Sequence, residues 1–121
     1  MGPKRAEKLF ATNVQEAGLG ISPPPIIESP FPVFDQNGHL KKTKTHPDHL
    51  VTRPETGQQV FVEIASGSCN GARKEAQKRV ALAAGLESYY VQISGNTVIE
   101  LDRLSTPQSK RLFLFELFGW K

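Results

Sequence analysis

Cys69 is the only cysteine in the chain, so neither an internal disulfide nor a cysteine-based zinc site can form. A reducing, intracellular setting is the expectation, and a short toxin domain delivered into cells would share it. Long apolar runs are missing too: none approaches the roughly 18 residues a membrane helix needs. The N-terminal MGPKRAEKLF has charges but no apolar stretch of the kind a secretory signal requires. Ala6 stands where a myristoylation motif needs Ser or Thr. The expectation is therefore a cytoplasmic or otherwise intracellular protein with no signal peptide or transmembrane segment. No internal repeat is found. What the chain does have is 121 residues, 38% hydrophobic and 22% charged. That suffices for a single domain, residues 1–121, around one modest core.

The net charge of +3 and isoelectric point near 9.2 are only mildly basic, and the balance alone excludes little. Placement says more. Lys41, Lys42 and Lys44 come just before an acidic hairpin, and Arg73, Lys74, Lys78 and Arg79 just after it. Cations on both flanks of carboxylates suit a polyanion whose phosphates must approach a metal. A solvated Lys/Arg face is the plainer account of either cluster taken alone.

Pro3 to Ala17 reads as a first helix, with Ala6, Phe10, Val14 and Ala17 along one stripe and Gly18 and Gly20 as its stop. SPPPIIESPFP, Ser22 to Pro32, is too rich in proline for a helix or a central strand and reads as an extended connector. Asn37-Gly38, between short strand-like flanks, signals a hairpin. DHLVT and QVFVEIA, joined by the turn RPETGQ, form another. SGSCNG follows as a loop in which Ser68 or Asn70 caps a helix from about Gly71 to Ala84. That helix turns Ala72, Ala76, Val80 and Ala83 inward and ends at Gly85. YYVQI and TVIEL read as strands around the turn SGN. Ser105 and Gln108 form a capping box, with Pro107 in the first turn of a last helix bearing Leu112, Phe113, Phe115, Leu117 and Phe118. The order is α-β-β-β-α-β-β-α, an α/β (α+β) layer whose mixed sheet of about five strands is flanked by helices. A helix crossover separates VFVEIA from YYVQI, so those two strands are expected to be parallel.

The acidic hairpin carries the chemistry. Centring its turn between Glu55 and Thr56 makes paired residue numbers sum to 111, which sets Asp48 against Glu63, Leu50 against Phe61 and Val51 against Val60. Alternation then puts Asp48, Leu50, Phe61, Glu63 and Ala65 on one face, apolar in the middle and acidic at one end. Two like charges directly opposed at the rim of a buried surface destabilise a sheet. A divalent cation is an economical compensation, because Mg2+ is typically held by one or two carboxylates plus waters and phosphate oxygens. Two ordinary solvent carboxylates at strand ends are the alternative, and a one-residue slip of register would turn Glu63 away from Asp48.

Pro47-Asp48, fourteen intervening residues and then Glu63-Ile64-Ala65 after an apolar strand resemble the PD-(D/E)XK nuclease superfamily. The surroundings resemble it as well: an N-terminal helix, the hairpin, the helix ARKEAQKRVALAAGL and the strand YYVQI, over roughly Pro3 to Leu101. The resemblance implies a restriction-endonuclease-like fold and Mg2+-dependent hydrolysis of DNA phosphodiester bonds, with Mn2+ able to substitute. It makes Asp48 and Glu63 metal ligands, with the Ile64 backbone carbonyl as a third. It also implies a helper acid on the first helix, Glu7 or Glu16, of which Glu7 lies nearer the apolar stripe. Gln77 becomes a supporting polar residue on the later helix. Lys41, Lys42, Lys44, His46, Arg73, Lys74 and Lys78 become contacts to nucleic acid, DNA first and RNA as an alternative.

One position departs from the pattern. The superfamily's last motif residue is a lysine that orients water and stabilises developing charge, and Ala65 can do neither. A migrated cation (Lys44, Lys78 or Arg73), a degenerate non-cutting binder and an inactivated Lys-to-Ala variant are the three accounts. The third is the expectation, since alanine is the usual inactivating substitution and the rest of the motif is intact. The rival function is a non-catalytic nucleic-acid or protein-binding module with a degenerate nuclease fold.

Other constellations are weaker. His39, His46 and His49 cluster around the hairpins, but a zinc site needs further ligands that the sequence does not place. Cys69 has no histidine beside it. RLFLFELFGW spreads Phe113, Leu114, Phe115 and Phe118 over more than one helical face, so either packing across the sheet or a homodimer through this helix covers them.

Overall fold

The computed structural model describes residues 3–34, 40–65, 80–81, 84–85 and 89–121. Its elements are helix α1 (Pro3–Glu16), strands β1 (Gly20–Ser22), β2 (Ile27–Phe34), β3 (Leu40–Thr45), β4 (His49–Thr52), β5 (Gln59–Ala65) and β6 (Tyr90–Ser94), and helices α2 (Gly95–Asp102) and α3 (Pro107–Phe118). The α1 stripe behaves as its spacing dictates: Ala6, Phe10 and Val14 are fully buried, and Ala17 nearly so. Gly18, at φ +80°, turns the chain out of the helix in a conformation that glycine adopts without strain.

One sheet has the order β1-β4-β5-β6, with β1 and β5 antiparallel to β4 and β6 parallel to β5. The protein is thus mixed α/β, a four-stranded mixed sheet flanked by helices. The hairpin register sums to 111 at every pair: His49↔Val62, Leu50↔Phe61, Val51↔Val60 and Thr52↔Gln59. Arg53 and Gly57 close the turn, Gly57 at φ +76°. Alternation along β5 separates two cores. Val60, Val62 and Ile64 join Phe10 and Val14 of α1 together with Val98, Leu101, Leu114 and Phe118. Phe61 instead packs with Ile27, Val80, Ala81 and Tyr90 on the other face.

Three expectations are corrected. Ser22 to Pro32 is not wholly a connector: β2 begins at Ile27 and pairs antiparallel with β3 outside the main sheet. Its register shifts between the pairs Glu28↔Lys44 and Val33↔Lys42, and Pro30 and Pro32 fall there, where a missing N–H breaks no ladder bond. TVIEL is helix, not strand. The Ser94 hydroxyl accepts from Thr97 N at 3.1 Å as an N-cap, and Val98 and Leu101, three apart, are buried against α1 and α3. A helical face that can be buried outweighs β-branched propensity. The last helix is capped one residue later than expected, by Thr106 with Ser109 in a reciprocal box, and Gly119 at φ 72° ends it.

Helix 71–84 falls almost entirely outside the described residues. Its end is visible: Val80 and Ala81 are helical and buried, and Gly85 has φ +76°. The turn at Asn37-Gly38 and the loop holding Ser68, Cys69 and Asn70 lie outside them too. No helix among the described residues is long and apolar enough to cross a membrane.

The cap position is directly testable. Thr106→Ala is expected to lower unfolding stability by about 1 kcal/mol, whereas Ser105→Ala leaves it unchanged within error. Thermal denaturation of the two variants reads the difference.

Candidate functional site

Asp48 sits where β4 and β5 begin to part. Its N–H donates to Val62 O at 3.0 Å, although Val62 is already paired with His49. The ladder ends at His49↔Val62, and Asp48, one residue outside β4, does not take the position directly opposite Glu63 that a continued register requires. Its carboxylate Oδ2 instead accepts from Ile64 N at 2.7 Å, placing it against the peptide that joins Glu63 to Ile64. The Ile64 group that meets Asp48 is thus the N–H. Its side chain belongs to the core at 5% exposure.

Glu63, between Val62 and Ile64 on β5, turns to the face opposite α1. It is 5% exposed and lies beside Gln92 in the parallel β5–β6 pairing. Tyr90, two residues back on β6, accepts from Gln92 Nε2 at 3.1 Å. Burial pushes the Tyr90 phenol up to about 12, helped by the negative charges of Glu63 and Asp48. Both carboxylates are thereby within electrostatic reach of one hydroxyl. Tyr90 is not among the residues proposed from sequence. Its signal is the polar-apolar alternation of Tyr90-Val91-Gln92-Ile93, legible only once β6 is known to lie beside Glu63.

Of the two α1 acids, Glu7 is the one that lines a cleft with Asp48. Burial raises the Asp48 carboxyl from 3.8 to about 6, followed by a hydrogen bond and like-charge repulsion from Glu7, with the Ile64 N–H pulling the other way. Glu16 is elsewhere, forming an ion pair with Lys110 of α3 at the far end of the helix. His49, missed as a site residue because alternation sends it to the α1 face, contacts that same helix. Its Nε2 is 3.2 Å from Glu7 O and its ring stacks on Phe10.

Glu7, Asp48, His46 and His49 share an open cleft of about 450 Å3 with a wall of Pro23, Pro24 and Pro47. His46 is exposed at its rim, Nε2 3.3 Å from Pro24 O. Lys41, Lys42 and Lys44 are residues of β3, with Lys44 paired to Glu28 and Lys42 to Val33. Ala65 ends β5 opposite Ser94. Arg73, Lys74, Gln77 and Lys78 lie outside the described residues, as does His39. Among the described residues no three His, Cys, Asp or Glu side chains form a ready metal cage. Mg2+ does not demand one, since water and substrate oxygens complete its shell.

On the last helix, Leu114 and Phe118 are core residues and Phe113, Phe115, Leu117 and Trp120 pack against that core. Leu112 is left 68% exposed. The guanidinium groups of Arg53 and Arg111 flank Phe115, 4.3 and 4.8 Å from its ring centre. Compared with known proteins, the chain matches no family model, no curated protein and no solved structure.

The raised Asp48 value has a sign. Between about 3.8 and 6 the folded protein holds a proton that the unfolded chain has released, so this residue's contribution to stability is lost as pH rises through that window. Asp48→Asn keeps the acceptor for Ile64 N–H and removes the titration. Its advantage over the parent is expected to grow from pH 4 to pH 7, reaching on the order of 1 kcal/mol after solvent screening. Urea denaturation across that range checks it, and a constant difference between the two proteins counts against the assignment.

Proposed function

We propose that this chain carries the site of a Mg2+-dependent endonuclease acting on DNA, built on a restriction-endonuclease-like sheet and lacking its charge-stabilising lysine at Ala65. One observation carries the reading. Asp48 is held against the Glu63–Ile64 peptide at 2.7 Å and lines one cleft with Glu7, and Glu63 on the same strand as Ile64 is nine-tenths buried. The donor set is all carboxylate oxygen, the chemistry that Mg2+ and Mn2+ prefer. Asp48 and Glu63 would hold such an ion, with Glu7 as the adjacent acid. The like-charge repulsion from Glu7 that helps raise the Asp48 carboxyl is of the kind a divalent cation relieves. When bound, the ion polarises a phosphodiester toward hydrolysis.

The chain's own residues do the rest. The Ile64 N–H orients Asp48, and the hydrophobic neighbours of Glu63 keep it desolvated and fixed. Tyr90 and Gln92 supply polar groups along the same face. Ala65 offers no charge to a developing oxyanion. The element order α1, β4–β5 hairpin and parallel β6 accords with the resemblance to the PD-(D/E)XK superfamily. The second reading, a non-catalytic nucleic-acid or protein-binding module, is favoured by that same Ala65, which leaves the acids without their partner base.

Ala65→Lys separates the two. In a Mg2+ or Mn2+ assay the variant is expected to cleave DNA at least about 100-fold faster than the chain as it stands, and Asp48→Asn in that background abolishes the gain. A lysine variant that cuts no better, while both proteins still bind DNA, favours the binding module. Parallel assays on RNA decide between the two polymers.

A further inference from the structure

His49 is the residue that joins the two halves of this site. Its Nε2 lies 3.2 Å from the Glu7 carbonyl. A carbonyl oxygen only accepts, so that nitrogen carries the proton and the ring is the Nε2–H tautomer. The Glu7 carbonyl has a second lone pair for its helical bond, so the contact disrupts nothing in α1. Three residues on, the ring of Phe10 stacks on the imidazole with centroids 5.6 Å apart and planes at 28°. Positions i and i+3 share a helical face, so His49 grips α1 at two points on the face that carries Glu7. Asp48 and His49 are consecutive residues at the end of the β4–β5 ladder, one reaching Ile64 N–H and the other α1.

We propose that His49 is a positioning residue, donating its Nε2 proton to the Glu7 carbonyl and stacking on Phe10 so that the Glu7 carboxyl is held in the cleft beside Asp48. Its consequence for cation binding rests on the reading of Asp48 as a ligand; the positioning itself does not. His49→Phe keeps an aromatic ring for Phe10 and loses the donor. His49→Gln loses the ring and keeps an N–H donor of similar reach.

The experiment is a double-mutant cycle of Glu7→Gln and Asp48→Asn, read as Tm shifts in three backgrounds: the unaltered chain, His49→Phe and His49→Gln. The two shifts are expected to be non-additive in the unaltered chain and in His49→Gln, and additive in His49→Phe. A purely structural role lowers Tm without touching that coupling. Mn2+ titration of the same three proteins is expected to show affinity at least about 10-fold weaker for His49→Phe. Additive shifts in the unaltered chain, or equal non-additivity in all three backgrounds, overturn the proposal. If the unaltered chain binds no Mn2+, the cation reading fails while the cycle still decides the role of His49. Should His49→Phe not fold, His49→Met fills the space without a donor and takes its place.

Discussion

Val60, Val62 and Ile64 lie beneath α1, and Glu63, between two of them in sequence, faces the opposite way and is equally sheltered from water. Strand β5 has neighbours on both edges and side chains buried on both faces, so every group placed near it must suit a medium with little water. Apolar side chains meet that condition at once. A carboxylate meets it only with partners, because an isolated charge moved out of water is costly. Glu63 is therefore poorly explained as a surface acid, and the polar groups gathered around it (Asp48, Tyr90 and Gln92) follow from its burial.

Helix α1 is fixed at both ends, and the position of Glu7 depends on it. At the C-terminal end Glu16 pairs with the largely buried Lys110, and Asn13 donates to Asp102 at 3.0 Å. These contacts tie α1 to α3 and α2. In the middle, Phe10 and Val14 are fully buried against the sheet. Truncating a buried aromatic of this kind removes about 3–5 kcal/mol, so the helix cannot readily slide to accommodate a ligand. At the N-terminal end the contact is His49. A helix held in this way presents its Glu7 to the parting strands as a fixed acid. Preorganisation of that kind is what a charge-handling site needs.

The cleft beside Asp48 has a different character from the Glu63 face. Prolines 23, 24 and 47 give it a stiff wall, and His46 is held at its rim through Pro24 O. The proline-rich segment thus shapes one side of the candidate site, which a reading as a mere connector misses. The lysines of β3 belong to the hairpin that follows it, so the same stretch leads from the cleft wall to the basic cluster.

Short-range physics made much of this legible from residues alone. The α1 stripe, the 111 register of the β4–β5 hairpin and the parallel pairing of β5 with β6 all follow from periodicity and turn length. Those rules fail where two local preferences are close and a distant surface decides. Thr97-Val98-Ile99 has strand propensity, yet α1 and α3 offer Val98 and Leu101 an apolar seat, and helix wins. Thr106 and Ser105 are equivalent as caps in sequence, and the chain entering α3 selects Thr106. The shift that takes Asp48 from Glu63 to the Ile64 N–H is likewise invisible in a residue count, because the ladder ends at His49 and the chain beyond it follows what packs around it. Sequence alone determined the hairpin that carries Asp48 and Glu63, because its register follows from the length of its turn. Only the tertiary structure decided that Glu7 comes to the same cleft as Asp48, since α1 meets β4 through residues 42 positions apart in the chain.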